Sequence, residues 1–214
     1  MDIYDELTER QKGLFKDGFP KVLRHYTKLS YLLKILKTNT FKLSDTEKFK
    51  DPKDKKWANA YKKDTNTKKL YAGCFTWETE LIHHWHDYAK GKYGCYIAFN
   101  GENLIKSAKE QGIICRCVNY IKNIKTNNES ILDSVQNKED IPFSKAWPYR
   151  CEYEYRFVST TNNLLKFDLK DILQIVITSK MGKDKFDLYK KEIEKFDIKR
   201  ISHSTLEKDI EEEK

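Results

Sequence analysis

The sequence predicts an α+β fold, because helices and strands mix without the regular strand–helix–strand rhythm of a parallel sheet. Three observations lead to this prediction. Apolar residues recur at helical spacing after Leu29. Segments rich in aromatic and β-branched residues lie between the helical ones. The 214 residues contain neither repeats nor a Pro/Gly-rich linker. We therefore expect a single domain over residues 1–214, with its core at about residues 20–202.

The individual elements follow from the spacing of apolar residues and from the turn residues between them. In chain order the prediction is a polar helix over 5–16, a strand over 22–26, a helix over 29–39, a strand over 41–44, a loop with one short helix over 48–69, a strand over 70–76, a helix over 80–90, a strand over 94–99, a helix over 103–110, strands over 113–120, 152–159 and 172–178, a helix over 184–196 and a strand over 198–201. Residues 126–140 show no clear pattern, and 206–214 form a charged tail.

The composition indicates a folded protein with a heavily charged surface, since 39% of the residues are hydrophobic and 35% are charged. The net charge of +8 favours polyanionic partners. Most of the positive charge is lysine, which lacks the forked donors that read bases. No apolar run approaches the roughly 18–20 residues that cross a bilayer, and the N-terminus does not resemble a secretory signal. With five cysteines, an odd number, we expect reduced thiols and a cytoplasmic location without a membrane.

The segment Glu-Tyr-Glu-Tyr-Arg at residues 152–156 is the first candidate for chemistry. In a strand it places Glu152, Glu154 and Arg156 on one face. Two neighbouring carboxylates repel each other unless a partner compensates, and Arg156 is the obvious partner. In a cleft, one carboxylate can stabilise the positive charge that develops at an anomeric carbon, while the other deprotonates the acceptor. The alternative is an exposed edge strand with alternating charges.

A second candidate is His25-Tyr26-Thr27, at the junction of a predicted strand with a predicted helix. An imidazole and two hydroxyls can hold a ribose and an amide, and an aromatic face can cover a flat ring. The alternative is a histidine that serves only the structure.

Both segments belong to an ordered set of short motifs. The set comprises His25-Tyr26-Thr27 with its leucine-rich helix, FKLSD at 41–45, KDP at 50–52, GCFT at 73–76, Trp85 with Tyr88, the strand at 94–99, VNY at 118–120, and Trp147 before the Glu-Tyr-Glu-Tyr-Arg segment. In this order the motifs resemble the bacterial domain-of-unknown-function family 2971, which is related in fold to ADP-ribosyltransferases. The resemblance covers residues 22–158. It implies an ADP-ribosyltransferase-like split β-sheet core with flanking helices.

The resemblance also implies NAD as co-substrate and assigns the site residues. Glu154 is then the catalytic carboxylate, and Glu152 acts on the acceptor. The residues implied to bind NAD are His25, Tyr26, Thr27, Asp51, Thr76 and Tyr88.

Three positions depart from the family pattern. Lys50 replaces an asparagine before Asp51, Trp77 replaces an acid after Thr76, and two extra residues follow Trp147. The first two departures bear on the choice of substrate, and the third on the register of the last motif.

The implied function is that of an NAD-dependent mono-ADP-ribosyltransferase that modifies a macromolecule, with RNA or DNA as a candidate acceptor. A toxin or anti-phage defence role fits this function, and an antitoxin protein is a candidate partner. Two alternatives stay open: a non-catalytic module that binds nucleotides or nucleic acid, and an NAD glycohydrolase.

The segment 48–69 has nine lysines and three aspartates, with Phe49, Trp57 and Tyr61 among them. Such a segment can hold a nucleic-acid strand through phosphate neutralisation and base stacking. The alternative is a solvated loop with its aromatic side chains turned inward.

A cluster of possible metal ligands consists of the histidines at positions 83, 84 and 86 with Asp87. A site needs three or four converging ligands, and no His-Glu-x-x-His pattern is present. We expect no metal, and instead a helix on which Trp85 and Tyr88 face the core or a cleft while His84 is solvated.

Overall fold

The computed structural model describes residues 7–122, 135 and 137–206. The helices are α1 (Glu9–Lys12), α2 (Leu29–Thr38), α3 (Pro52–Asp64), α4 (Ile82–Asp87), α5 (Gly101–Glu110) and α6 (Lys183–Glu194). Short 3-10 helices lie at Thr46–Lys48, Lys138–Phe143, Trp147–Glu152 and Leu169–Asp171. Among the helices of these residues, none has the length and apolar character needed to span a membrane.

The strands are β1 (Phe15–Lys16), β2 (Phe19–Pro20), β3 (Val22–Lys28), β4 (Thr40–Lys42), β5 (Ser44–Asp45), β6 (Tyr71–Thr76), β7 (Gly94–Asn100), β8 (Ile114–Cys117), β9 (Asn119–Ile121), β10 (Ser144–Ala146), β11 (Glu154–Ser159), β12 (Leu164–Lys166), β13 (Ile172–Ile177) and β14 (Ile201–His203). Three small two-stranded pairings, β1 with β2, β9 with β10 and β4 with β12, lie outside the main sheet.

The main sheet is split into two halves. Its strand order is β14-β13-β7-β3-β6-β11-β8, and β5 pairs with β6. All seven residues of β3 pair with β7, and all six residues of β6 pair with β11. Between the halves, however, β3 and β6 are in register only at Arg24 and Thr76. The predicted α+β class, with a split β-sheet core and flanking helices, is therefore confirmed.

One face of the sheet carries the main core. The helix α2 buries Leu29, Leu32 and Leu36 there, at the i, i+3 and i+7 spacing of one helix face. It ends where Asn39 takes a left-handed conformation with φ of 51°. The helices α5 and α6 also pack against this face, where β3 contributes Leu23.

The opposite face carries two smaller apolar clusters. Beside α4, the rings of Tyr26, Trp85 and Tyr96 pack above one half of the sheet. Beside α3, Ala58 and Val158 pack above the other half. The split of the sheet lies between these clusters, so that α3 and α4 stand on either side of it.

For residues 48–69 the sequence predicts a loop with one short helix. This is wrong in the length of the helix, because α3 has 13 residues and occupies most of the segment. Asp51 accepts a hydrogen bond from the backbone N–H of Lys53, and Pro52 occupies the first turn; both features start a helix. Trp57 is buried with 4% of its surface exposed. Its ring therefore cannot stack on a nucleobase, and the inward orientation is the correct alternative for this residue.

The expected strand over 152–159 begins two residues late. Glu152 ends a 3-10 helix and Tyr153 has a left-handed φ of 48°, so the strand starts at Glu154. The alternative of an exposed edge strand is also wrong, since β11 lies between β6 and β8. Glu154 and Arg156 are only 4% and 3% exposed.

Other differences are local. The helix expected over 80–90 is limited to α4, and His84 is buried rather than solvated. The expected strand over 113–120 is divided into β8 and β9, because β9 leaves the main sheet to pair with β10. Of the helix expected over 5–16, residues 5 and 6 lie outside the described residues, and the rest is limited to α1, followed by the β1–β2 hairpin. The expected last strand begins later, at Ile201. Residues 126–134 and 136 of the patternless stretch, and 207–214 of the tail, lie outside the described residues.

Gly94 gives a test of how the sheet holds α4. A Cβ atom at Gly94 would lie 1.8 Å from the backbone oxygen of Ala89, just after α4. We expect Gly94→Ala to lower the free energy of unfolding by about 1–3 kcal/mol, because backbone must move to admit the methyl group. Urea denaturation followed by circular dichroism measures this change.

The matched control is Gly182→Ala, where nothing lies within 4 Å of the added Cβ. Its cost is expected to stay below about 1 kcal/mol, the penalty of a weaker N-cap. Equal stabilities of the two variants would contradict the close contact between α4 and β7.

Candidate functional site

The candidate site lies at the split of the sheet, on the face that carries α3 and α4. Glu154 is the first residue of β11 and is paired with Thr76 of β6, which is in turn paired with Arg24 of β3. Glu154 therefore lies beside the one residue pair that joins the two halves. Its backbone N–H donates to the hydroxyl of Tyr120 at 2.9 Å, which fixes the start of the strand.

A buried network of five charged side chains surrounds Glu154. The Arg156 guanidinium donates to both carboxylate oxygens, at 2.6 Å from Nε and 3.0 Å from Nη2. Lys145 Nζ lies 2.5 Å from Glu152 Oε2 and 3.4 Å from Glu154 Oε2. The fifth member, Asp54 of α3, has its Oδ2 atom 3.2 Å from Arg156 Nη2 and 3.6 Å from Lys145 Nζ.

All five residues are at most 9% exposed. Three carboxylates face two cations, so the fully ionised network has a net charge of −1. An uncompensated charge in a poorly solvated place attracts a cation more strongly than it would in water.

The environment gives the two glutamates different acidities. Burial acts to raise the pKa of Glu154, but the charges of Arg156 and Lys145 outweigh it and lower the pKa to about 2. Burial raises the pKa of Glu152, although Lys145 opposes the shift. Glu154 is thus held ionised, while Glu152 is the more basic carboxylate of the pair. Such a division is typical of sites where one carboxylate stabilises charge and the other transfers a proton.

Five groups around the network are neutral at pH 7. Burial lowers the pKa of His25 to about 4 and that of His84 to about 3. Burial, with the nearby glutamates, raises the pKa of the Cys74 thiol and of the Tyr88 and Tyr120 hydroxyls. These groups therefore contribute no cation that would cancel the net negative charge.

Solvent reaches this region at Cys74 and Tyr88, and we call the surface between these two residues the cleft. Cys74 is exposed, although β6 is a central strand with neighbours on both sides. Tyr88, just after α4, is 45% exposed, and burial and the charge of Glu152 raise the pKa of its hydroxyl. Burial and the charge of the nearby Glu154 raise the pKa of the Cys74 thiol. Cys74 is thus a solvent-exposed residue beside the buried network.

His25, on the neighbouring strand β3, contacts the backbone of Cys74. Its Nδ1 atom lies 3.0 Å from the carbonyl oxygen of Cys74. Because a carbonyl can only accept, Nδ1 carries the proton and Nε2 is the ring atom with a free lone pair. The ring packs on Phe41 and Phe75, with centroids at 4.5 and 5.4 Å.

The predicted site residues are divided between the two faces of the sheet. Tyr26, Thr76, Tyr88, Glu152 and Glu154 lie on the face of α3 and α4. His25 and Thr27 point to the main-core side, because neighbours in a strand alternate. Asp51 lies at the start of α3.

Exposure separates the three residues of the first motif. Tyr26 and Thr27 are 7% and 8% exposed, whereas His25 is partly exposed. The Tyr26 ring packs on His84 at 5.0 Å and on Trp85 at 5.4 Å. Of the three, His25 is the one that solvent or a ligand can reach.

The departures from the family pattern have separate places in the structure. Trp77 is a core residue, 2% exposed, with its ring centroid 5.1 Å from that of Phe15. Lys50 is exposed immediately before α3. The two extra residues after Trp147 belong to the 3-10 helix that ends at Glu152.

Sequence reasoning missed Lys145, Asp54, Cys74 and His84 as neighbours of this site, and also Tyr149, whose ring centre lies 4.9 Å from Lys145 Nζ. For Lys145 the available signal was a lone lysine in the otherwise uncharged stretch 141–149. For Asp54 it was a carboxylate in line with Trp57, Ala58 and Tyr61 at helical spacing.

Within residues 7–122, 135 and 137–206, no group of three or more His, Cys, Asp or Glu side chains is arranged to hold a metal ion. All five cysteines are free thiols.

Fold and site together define an α+β protein with a split central sheet and a buried carboxylate site at the split. No protein-family model and no curated protein matches the chain, so membership of family 2971 stays a prediction. Solved structures of DarT from Thermus sp. 2.9 are similar to it. The complex with ADP-ribosylated ssDNA is 12% identical, covering 89% of this chain and 98% of that chain with a TM-score of 0.43. The complex with NAD+ is 9% identical, covering 89% and 97%, also with a TM-score of 0.43. At these values the similarity assigns no role to any residue.

The acidity of Glu154 gives a prediction for stability. Because its pKa falls from 4.5 to about 2 on folding, its contribution is present above about pH 4.5 and is lost as the pH falls towards 2. We expect Glu154→Gln to lower the free energy of unfolding by on the order of 3 kcal/mol at pH 7 and by progressively less below pH 4.5. Urea denaturation between pH 7 and pH 3 measures the difference from wild type.

Glu102→Gln is the control, because Glu102 is exposed on α5. It is expected to change stability by less than about 0.5 kcal/mol at every pH. A Glu154→Gln difference that is independent of pH would show that Glu154 is not held ionised in the folded protein.

Proposed function

We propose that the chain is an NAD-consuming mono-ADP-ribosyltransferase that modifies a macromolecular acceptor. One observation carries the proposal: Glu152 and Glu154 share Lys145 near the solvent-exposed Cys74, whose backbone carbonyl accepts a hydrogen bond from His25. Segments that are far apart in the sequence are therefore close together at the split of the sheet, with His25 on one face and Glu154 on the other. Their order along the chain, which resembles family 2971, supports the same function.

The charge of the site suits the breaking of a glycosidic bond. When the bond between ribose C1′ and the nicotinamide nitrogen breaks, the nicotinamide leaves with the bonding electron pair and C1′ becomes cationic. Glu154 is already ionised and is fixed by the Arg156 fork. It can therefore stabilise the cation without reorganising during the reaction.

Glu152 is suited to act on the acceptor. The acceptor's oxygen or nitrogen forms a bond to C1′, and its proton passes to Glu152, so that atoms and electrons balance. A carboxylate whose pKa is raised by burial is a better base at neutral pH than an ordinary one. Lys145 holds Glu152 in place.

Several residues are proposed to hold NAD. His25 Nε2 accepts a hydrogen bond from a ribose hydroxyl, and the exposed Tyr88 ring covers a flat part of the ligand. Asp51 at the start of α3 and Thr76, the strand partner of Glu154, are proposed to border the NAD site. Tyr26 and Thr27 are buried, so their part is to shape the wall and to hold His25 in position.

A non-catalytic nucleotide-binding module is the second candidate, and one observation favours it. Glu154 is 4% exposed, and both of its oxygens accept hydrogen bonds from Arg156. A carboxylate so occupied can be structural. For catalysis, the open side of the cleft at Cys74 must bring C1′ to Glu154.

The test is incubation with NAD labelled in its adenylate part, with and without RNA, DNA or cell extract. Wild type is expected to release nicotinamide and to transfer label. Glu154→Gln is expected to lower nicotinamide release by about 100-fold or more, as for the removal of one preorganised stabilising group. Glu152→Gln is expected to lose label transfer more than nicotinamide release. Chromatography of nicotinamide and gel detection of label measure both.

Glu102→Gln serves again as the matched control and is expected to behave as wild type. Intact NAD in every wild-type mixture, together with measurable NAD binding, would contradict the transferase and support the binding module. Nicotinamide release without label transfer would support an NAD glycohydrolase instead.

A further inference from the structure

The helix α3 has two faces of different chemistry. Its inner face buries Asp54, Trp57 and Ala58. Its outer face exposes Lys53, Lys56 and Lys63, and Lys48 and Lys50 are exposed just before the helix. The lysine-rich sequence is thus sorted into a basic outer surface on a helix whose inner side reaches the candidate site.

The charges on the outer surface are not neutralised by neighbours. Lys55 and Lys62 both form ion pairs with Glu47. By contrast, no carboxylate of the described residues forms an ion pair with Lys50, Lys53 or Lys56. These three side chains are available to a partner with several negative charges.

Tyr149 connects the basic surface to the site. Tyr149 is 36% exposed, and the nearby Asp51 at the start of α3 raises the pKa of its hydroxyl. The centre of the ring lies 4.9 Å from Lys145 Nζ, which bridges Glu152 and Glu154. An exposed flat ring therefore lies between the lysines and the carboxylates.

These features match one kind of partner. A row of lysines neutralises regularly spaced phosphates, and an exposed ring stacks on an unpaired base. A duplex offers the phosphates but keeps its bases stacked inside. Lysine, unlike arginine, does not make forked contacts with base edges, so sequence preference should be weak.

We propose that single-stranded nucleic acid docks on the surface formed by Lys50, Lys53, Lys56 and Tyr149. The claim that this strand is also the acceptor of the site rests on the proposed function. The claim that it binds to this surface does not. The phosphates lie along the start of α3, and one base stacks on Tyr149 at the mouth of the cleft.

The inner face of α3 fixes the distance between this surface and the site. Asp54 is bound to Arg156 and lies near Lys145. The helix that holds the strand is therefore tied to the same two cations that hold Glu152 and Glu154. A nucleotide next to the stacked base is thereby presented to Glu152.

The experiment measures the anisotropy of labelled oligonucleotides at several salt concentrations, with single-stranded DNA, single-stranded RNA, duplex DNA and inorganic polyphosphate as separate probes. Lys53→Glu/Lys56→Glu is expected to weaken binding of single strands about 10- to 100-fold near 0.1 M salt and to reduce the salt slope by about 1.4, the loss of two phosphate contacts. Tyr149→Ala is expected to weaken single strands about 10-fold and to leave the salt slope and polyphosphate binding unchanged. The DNA and RNA probes show which sugar is preferred.

The matched control is Lys183→Glu/Lys191→Glu, which makes the same charge change on α6, at the β14 end of the sheet. It is expected to weaken binding less than about 3-fold, through long-range charge alone. Equal weakening by both pairs, tighter binding of duplex than of single strands, or no effect of Tyr149→Ala would each overturn the proposal. A loss of NAD binding without a loss of oligonucleotide binding in Tyr149→Ala would overturn it too, by assigning the ring to NAD.

The two proposals fail in different ways. If single strands bind to the surface but NAD is never consumed, the surface stands and the transferase fails. If nicotinamide is released but no single strand binds, the transferase or glycohydrolase stands and the surface fails.

Discussion

The pairing of Lys145 and Arg156 with three buried carboxylates is the interaction on which the rest of the structure depends. The five side chains come from α3, β10, the 3-10 helix before β11, and β11 itself, so the network fixes these elements against one another. A buried ion network of this kind seldom increases stability over well-packed apolar side chains, because desolvation offsets the attraction. Removal of a single partner, in contrast, leaves a buried charge uncompensated and is destabilising. Three carboxylates with two cations leave one negative charge uncompensated, which is unfavourable for a purely structural cluster. This imbalance is the physical reason to interpret the cluster as a site for a cationic species.

The split of the sheet gives the network access to solvent. In a continuous sheet, β3 and β6 would pair along their length, and the cleft at Cys74 would be closed by the backbone ladder and by packed side chains. Here they meet at Arg24 and Thr76, and the His25 ring takes the carbonyl of Cys74 as its partner. Since α3 and α4 pack on separate apolar clusters, neither helix covers the line between the halves. The opening is therefore a consequence of strand pairing and not of a missing side chain.

The sequence predicted those parts of the site that depend on local periodicity. Alternation along a strand correctly paired Glu154 with Arg156, and helical spacing correctly placed α2. The same alternation failed at Glu152, because the left-handed Tyr153 interrupts the strand, a turn that no local pattern announced. Glu152 still reaches Glu154, but through Lys145. Its isolation in an uncharged stretch singled that lysine out, but its partners could not be assigned from the sequence, since its position depends on the parallel pairing of β10 with β9, between segments more than 20 residues apart. Burial of His84 likewise depends on the packing of α4 against Tyr26.

Positive charges lie on one side of Tyr149 and negative charges on the other. Their separation favours one orientation of a charged ligand in the site. The lysines at the start of α3 face solvent, whereas the net negative network lies beneath the ring. A phosphate is attracted to the first and repelled by the second, while a cationic sugar carbon has the opposite preference. In the proposed reaction, phosphates therefore stay on the outer side and C1′ moves inward to Glu154. Asp54 belongs to both regions, because it is on the same helix as the lysines and bonds Arg156 in the network. The helix therefore carries opposite charges on opposite faces. It can position an anionic acceptor near a cationic reaction centre while it keeps the phosphates away from the negative network.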